Sequence, residues 1–173
     1  MKPLFFILLV FLSACTGFTQ ELGPEVSTKV SFIGENEKED EQLMLYCSTP
    51  LLSVTYNSMD EAYDIWTNML ASMTTKAGDQ GLDIKGVKIW INLFWEADGS
   101  IKKIVYYPKP KSKNMDFEQL TIFFQTFAED YNLDIDYESC FSHHGTASFP
   151  VKPLPLPPPS PEDKIKKKKT KKH

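Results

Sequence analysis

Ten alternating residues constrain this chain more than any other feature. From Val87 to Glu96, apolar Val87, Ile89, Ile91, Leu93 and Trp95 alternate with Lys88, Trp90, Asn92, Phe94 and Glu96. That period of two is the mark of a strand with one face buried. Asp98-Gly99 follows, a dipeptide suited to the positive φ angles of a tight turn. Ile101 to Tyr107 then reads as the return strand, so the stretch predicts a β-hairpin over about residues 87–107. Its register is open at this level. A two-residue turn sets Ile104 and Tyr106 beside the aliphatic face, whereas a three-residue turn with a bulge sets Ile101, Val105 and Tyr107 there. In either case the second face carries Trp90 and Phe94 and is not properly polar, which requires a cover or a partner for it. Trp90, Phe94 and Tyr107 are therefore the candidate partner-binding residues.

A helical pattern flanks the hairpin on each side. Ser58 with Glu61 three residues later is a capping box. Ala62, Trp66, Met69, Leu70 and Met73 recur at helical spacing, predicting a helix over about 59–76 that stops before Gly78. After the hairpin, Pro108 and Pro110 end the strand. Asp116 is a good N-cap, and Phe117, Leu120, Phe124, Phe127 and Tyr131 give a second amphipathic helix over about 116–131. Leu133 to Glu138 alternates apolar and acidic residues and reads as a strand, with a short final strand over Ala147 to Pro150. Upstream, Lys29 to Ile33 is a candidate short strand, Gly34 to Gln42 an acidic loop or helix start, and Pro50 to Tyr56 leans towards β. The fold class is thus α+β, a small antiparallel sheet centred on the hairpin and packed with two amphipathic helices.

Both ends differ from the middle. Lys2 precedes the uninterrupted apolar run Leu4 to Leu12, too short for the ~20 residues a helix needs to cross a bilayer and suited to an export signal within residues 1–20. Leu12-Ser13-Ala14-Cys15 closes it and resembles the lipobox of bacterial lipoproteins, in which cleavage exposes a cysteine that carries lipid. The resemblance makes Cys15 the lipidation site and the mature protein one held at a membrane face of the bacterial envelope. The other reading is ordinary signal-peptidase cleavage near Phe18-Thr19-Gln20, giving a soluble periplasmic or secreted chain. Lipid labelling of a Cys15→Ser variant separates the two.

At the other end, seven prolines fall between Pro150 and Pro161, and seven of the last ten residues are lysine. Proline-rich sequence favours an extended chain, and a block of like charge cannot bury a core. Residues 151–173 are predicted to be a disordered tail, leaving residues 21–150 as a single domain whose part up to about 57 is poorly defined. The tail carries +6 and residues 21–150 carry −11, within a net −4 for the whole chain. Such a tail suits an anionic surface, such as lipid headgroups or cell-wall polymer; the alternatives are that it only keeps the chain soluble or docks loosely on its own acidic domain. The chain has no arginine, which together with the acidic body argues against nucleic acid as a partner.

Of the three cysteines, Cys47 and Cys140 remain as a pair once Cys15 is lipidated or removed. In an exported protein that pair is a disulfide candidate closing a long loop, and two separate buried thiols are the alternative. Cys140, His143 and His144 form the only cluster with metal-ligand character. Adjacent histidines in extended chain point opposite ways, however, and no second ligand group sits at a recognisable spacing. Asp134, Asp136 and Glu138 lack the spacing and glycine of an EF-hand loop. No nucleophile elbow, HExxH, phosphate loop or dinucleotide fingerprint occurs, so the chain offers no catalytic constellation and calls for no cofactor.

The order helix, strand, Asp-Gly turn, strand, helix, strand, with Trp95-Glu96-Ala97-Asp98-Gly99-Ser100-Ile101 at its centre and Ile104 and Tyr106 beyond, resembles the C-terminal domain of TonB-type proteins. The likeness covers about Ser58 to Pro150. It implies a domain that binds a short extended peptide by adding a strand to a sheet edge. Two departures from the energy-transducing members stand out: no permanent N-terminal membrane helix, and a Pro- and Lys-rich stretch placed after the domain. The sequence therefore predicts an exported, lipid-anchored, non-enzymatic module for an envelope protein or peptide. The alternatives are a small metal-binding protein or enzyme using Cys140, His143 and His144, and a structural accessory subunit of a surface complex.

Overall fold

The computed structural model describes residues 23–151. The export signal with Cys15 and the tail from residue 152 onward lie outside the described residues. The elements in chain order are β1 (Val30–Phe32), α1 (Glu37–Tyr46), β2 (Thr49–Pro50), α2 (Leu51–Val54), α3 (Met59–Asp79), β3 (Lys88–Trp95), β4 (Ile101–Pro108), α4 (Phe117–Asp130) and β5 (Phe141–Ser148). Among the described residues no helix is long and apolar enough to cross a membrane.

The α+β class holds, but the sheet is larger than the hairpin-centred antiparallel one predicted. Five strands run in the order β1-β4-β3-β5-β2. The three long central strands are antiparallel, whereas β1 on β4 and β2 on β5 are parallel. The edge strands are only three and two residues long, so each pairs with only part of the longer strand beside it.

The hairpin combines the two registers left open by the sequence. Gly99 takes a φ of 82° and Asp98 stays in the ordinary region, so only one residue of the dipeptide uses the left-handed backbone. Gly99 N–H donates to Glu96 C=O and Glu96 N–H to Ser100 C=O, closing a three-residue loop. The Asp98 carboxylate accepts from the Ser100 N–H at 3.0 Å and its hydroxyl at 2.6 Å. Pairing then jumps from Trp95–Ile101 to Phe94–Lys103, with the shift between Phe94 and Trp95. This bulge brings Ile101 onto the same face as Ile104 and Tyr106 and sends Val105 and Tyr107 to the other.

Helices α3 and α4 cover the first face. Trp66, Met69, Leu70, Met73 and Ala77 of α3 meet Leu120, Phe123, Phe124, Phe127 and Ala128 of α4 over Ile89, Ile91, Leu93, Ile104 and Tyr106. Ser58 Oγ accepts the Glu61 N–H at 3.2 Å and starts α3. The helix runs through Gly78 and stops at Gly81, where Leu82 N–H reaches Ala77 C=O and Gly81 N–H reaches Gly78 C=O. That is a Schellman closure, with glycine at the left-handed position. At the start of α4, Asp116 accepts the Glu118 N–H at 2.9 Å. The Tyr106 hydroxyl ties the helix to β4 by donating to Phe117 C=O at 3.1 Å and meeting Thr121 Oγ1 at 2.7 Å. Burial pushes the Tyr106 phenol up to about 12.

Several local expectations are corrected. Of the two readings of Gly34 to Gln42, loop or helix start, the structure shows the helix, which runs over Glu37–Tyr46. Residues Leu51–Val54 form a short helix after only two residues of strand, because Pro50 blocks continued ladder bonding. Leu133 to Glu138 is irregular chain. It wraps the hairpin tip through Leu133 N–H to Gly99 C=O, Tyr137 N–H to Ala97 C=O and a bridge between Ser100 and Asn132. The last strand instead occupies Phe141–Ser148 and pairs along the whole length of β3.

Candidate functional site

The second face of the sheet is half covered. Helix α1 lies over Phe94, Val105 and Cys140, with Leu43 and Cys47 between. Phe94 is fully buried, which removes it from the partner-binding candidates: the cover its alternation demanded is a helix of this chain. Cys47, the C-cap of α1, is bonded to Cys140 just before β5, with their Cα atoms 4.8 Å apart at a sequence separation of 93.

Beneath α1 sits a charge that sequence reasoning passed over. The side chain of Lys103 is wholly buried and makes ion pairs to Glu39 and, at 3.1 Å, to Asp40. Burial raises the carboxyl of Glu39, but the bonds from Lys103 and Ser27 outweigh it and hold the group below its ordinary range. Burial wins at Asp40 and raises its pKa against the opposing pull of Lys103. Asp40 Oδ1 faces the ammonium as a charge contact without the angle of a hydrogen bond. The group of one cation and two anions pins α1 to the sheet and has the character of a structural lock.

Beyond α1 the same face is only partly covered by the described residues. Trp90 is 39% exposed and Tyr107 50%, paired across β3 and β4 with ring centroids 6.5 Å apart. The Lys109 ammonium lies 5.5 Å from the Trp90 ring centroid. Ile33, exposed and following β1, donates its N–H to Tyr106 C=O and so continues this row beside Tyr107. On the other side Trp90 pairs with Thr146 of β5.

The two sheet edges differ. On β1 the outward groups are answered locally. Thr28 Oγ1 donates to Val30 C=O at 3.1 Å, Glu35 Oε2 accepts the Phe32 N–H at 2.8 Å, and Glu35 N–H donates to Phe32 C=O at 3.1 Å. On β5, β2 pairs only with Phe141 and Ser142, so no described strand pairs with the outer edge from His143 to Ser148. Phe149 N–H donates to Val87 C=O at 2.9 Å, and with the register Ala147–Ile89 this assigns the odd-numbered groups of β5 to β3. The even-numbered backbone groups, those of Thr146 and Ser148 among them, point outward. A groove of about 510 Å³ runs beside them, lined by Tyr63, Trp66, Thr67 and Leu70 of α3 and by Thr146 and Ser148. A Cβ at Gly145 would crowd the His143 ring, 3.1 Å from its Nε2, while meeting Trp66 only at an ordinary contact of 3.9 Å.

The metal-ligand cluster is not brought together. Cys140 is in the disulfide. His143 lies on the helix face, its ring 4.4 Å from that of Trp66, while His144 lies on the opposite face against Phe94 at 5.6 Å. His144 Nε2 is 3.2 Å from Ser142 Oγ. Burial lowers the pKa of both histidines, with a further contribution at His143 from His144. Among the described residues no three His, Cys, Asp or Glu side chains converge as metal ligands. The sequence signal for β5 was weak because its inward positions are Phe141, His143, Gly145 and Ala147, small or polar apart from the first. No family model, no curated protein and no solved structure matches the chain, so the account of this surface rests on its own geometry.

Proposed function

We propose that this chain is an exported envelope protein, lipid-anchored through Cys15, whose folded part is a non-enzymatic peptide-binding module of the TonB C-terminal type. The observation that carries this reading is the outer edge of β5: outward backbone groups on Thr146 and Ser148 beside a groove walled by Tyr63, Trp66 and Leu70. An extended peptide laid along it would exchange backbone hydrogen bonds with those residues, and alternate side chains would enter the groove. Those on the other side would lie next to Thr146, one strand from exposed Trp90. Helix, hairpin, helix and closing strand in this order support the TonB-type comparison, and the lysines of the tail would add contact with an anionic surface.

The test uses proline at an outward position, where it removes a donor without breaking a bond to β3. Immobilised parent protein should retain a specific partner from envelope extracts, and the Thr146→Pro variant should lose it while melting at the parent temperature. Undiminished capture by Thr146→Pro would rule out strand addition at β5.

A further inference from the structure

We propose that the second face of the sheet beyond α1 is a binding platform for an acidic polysaccharide, centred on Trp90 with Tyr107 beside it and with Lys88 and Lys109 at one end. The inference does not rest on peptide binding at β5. It starts from the strand register. Tyr107 of β4, Trp90 of β3 and Thr146 of β5 are direct neighbours across the sheet, and in the adjoining rows Asn92 faces His144 and Lys88 faces Ser148. Alternation points these side chains away from α3 and α4. An indole therefore lies on the middle of three strands with a phenol ring 6.5 Å away, bordered by amide and hydroxyl groups. Thr146 and Ser148 are exposed. Within the described residues their hydroxyls and the Asn92 amide hold no hydrogen bond.

A sugar ring matches both features. The C–H hydrogens on its flat face are slightly positive and suit the negative π face of an indole, while its rim hydroxyls both donate to and accept from amides and hydroxyls. Charge then selects the kind of sugar. Residues 21–150 carry −11, and Lys76, Lys102, Lys103 and Lys113 each hold a carboxylate. Among the described residues Lys88 and Lys109 hold none. They are joined through Lys109 N–H to Lys88 C=O, so two unneutralised ammonium groups share one end of the platform, a complement to carboxylates along a polymer. The Lys109 ammonium now lies 5.5 Å from the Trp90 ring centroid. An exposed contact of that kind is weak, so the lysine can turn to a ligand's charge while the ring takes the sugar. A polymer strand fits better than a bilayer because it touches this patch alone. A bilayer meets the whole face, including exposed Glu37 and Glu41 of α1, which anionic lipid repels, and acyl chains would leave the amide and hydroxyls unpaired.

Titration of the full chain with short oligosaccharides cut from alginate, polygalacturonate and hyaluronan tests this, with dextran oligosaccharides as the neutral control. Trp66 and Trp95 are buried, so a saturable change in tryptophan emission reports on Trp90. At least one acidic probe should give it, and dextran should bind more weakly. Trp90 lies outside both apolar clusters, so Trp90→Ala should melt with the parent. Calorimetry should show its binding weakened by about 10-fold or more, the scale of losing an aromatic anchor. A Lys88→Gln, Lys109→Gln variant should lose the preference for acidic over neutral probe and keep its dextran binding, which a merely structural role for the lysines would not produce. Three results overturn the proposal. One is that no acidic probe binds. Another is equal binding by the parent and Trp90→Ala, which would mean that the lysine-rich tail holds the sugar. The third is Trp90-dependent sedimentation with phosphatidylglycerol vesicles in a protein that binds no probe, which would make the patch a membrane contact.

Discussion

Lys103 shows how one residue decides the second face. Its side chain is wholly buried with Glu39 and Asp40 as its charge partners, and a buried charge is tolerated only in such company. Replacing it with methionine leaves two carboxylates under α1 without a cation. Lys103→Met should cost about 3–5 kcal/mol, the range for breaking a buried pair from one side. A variant that also carries Glu39→Leu and Asp40→Leu should recover most of the loss, because an apolar set of similar volume needs no charge balance. Urea midpoints for the two variants check this, and equal destabilisation in both would show that shape, not charge, governs the contact. None of this was legible in the sequence. Lys102 and Lys103 are neighbours in a return strand, and only the bulge decides which of them turns inward.

At the scale of elements, the two long helices and the hairpin were readable because each carries its signal locally: Ser58 and Asp116 as caps, apolar spacing for α3 and α4, and the alternation of β3 with a glycine turn. The elements left open or misread are those whose stability comes from elsewhere. Helix α1 exposes Met44 and Leu45 and buries only Asp40 and Leu43, so its amphipathic pattern is faint. It is held by the Lys103 ion pairs and by the bond from Cys47 to Cys140. Strand β5 is short of apolar side chains and is held by its ladder to β3. The disulfide joins these two weakly encoded elements across a sequence separation of 93. Opening it should lower stability by about 4 kcal/mol in the loop-entropy model. Unfolding in urea with and without reductant measures this, and an unchanged midpoint would mean that α1 and β5 are secured by packing alone.

For the molecule as a whole, acid should weaken the fold through its histidines. Burial lowers the pKa of His143 and His144 in the folded state. Above the ordinary histidine range both states hold them neutral and no stability is lost. As pH falls through about 6.5, the unfolded chain takes up protons that the folded chain resists, so stability falls. Glu39 and Asp40 shift in opposite directions and act lower, in the carboxylate range. The melting temperature should be a few degrees lower at about pH 5.5 than at about pH 7.5, and His143→Gln should flatten that dependence. A flat profile in the parent would show that the histidines ionise freely in the folded protein. Taken alone, the sequence determined the two long helices, the hairpin between them and the apolar faces they bury, since caps, turns and periodicity act within a few residues. The tertiary structure decided the rest. It alone closed Phe94 under α1, parted His143 from His144 across the sheet and left the outer edge of β5 beyond Ser142 without a described strand, because strand order depends on contacts between residues far apart in the chain.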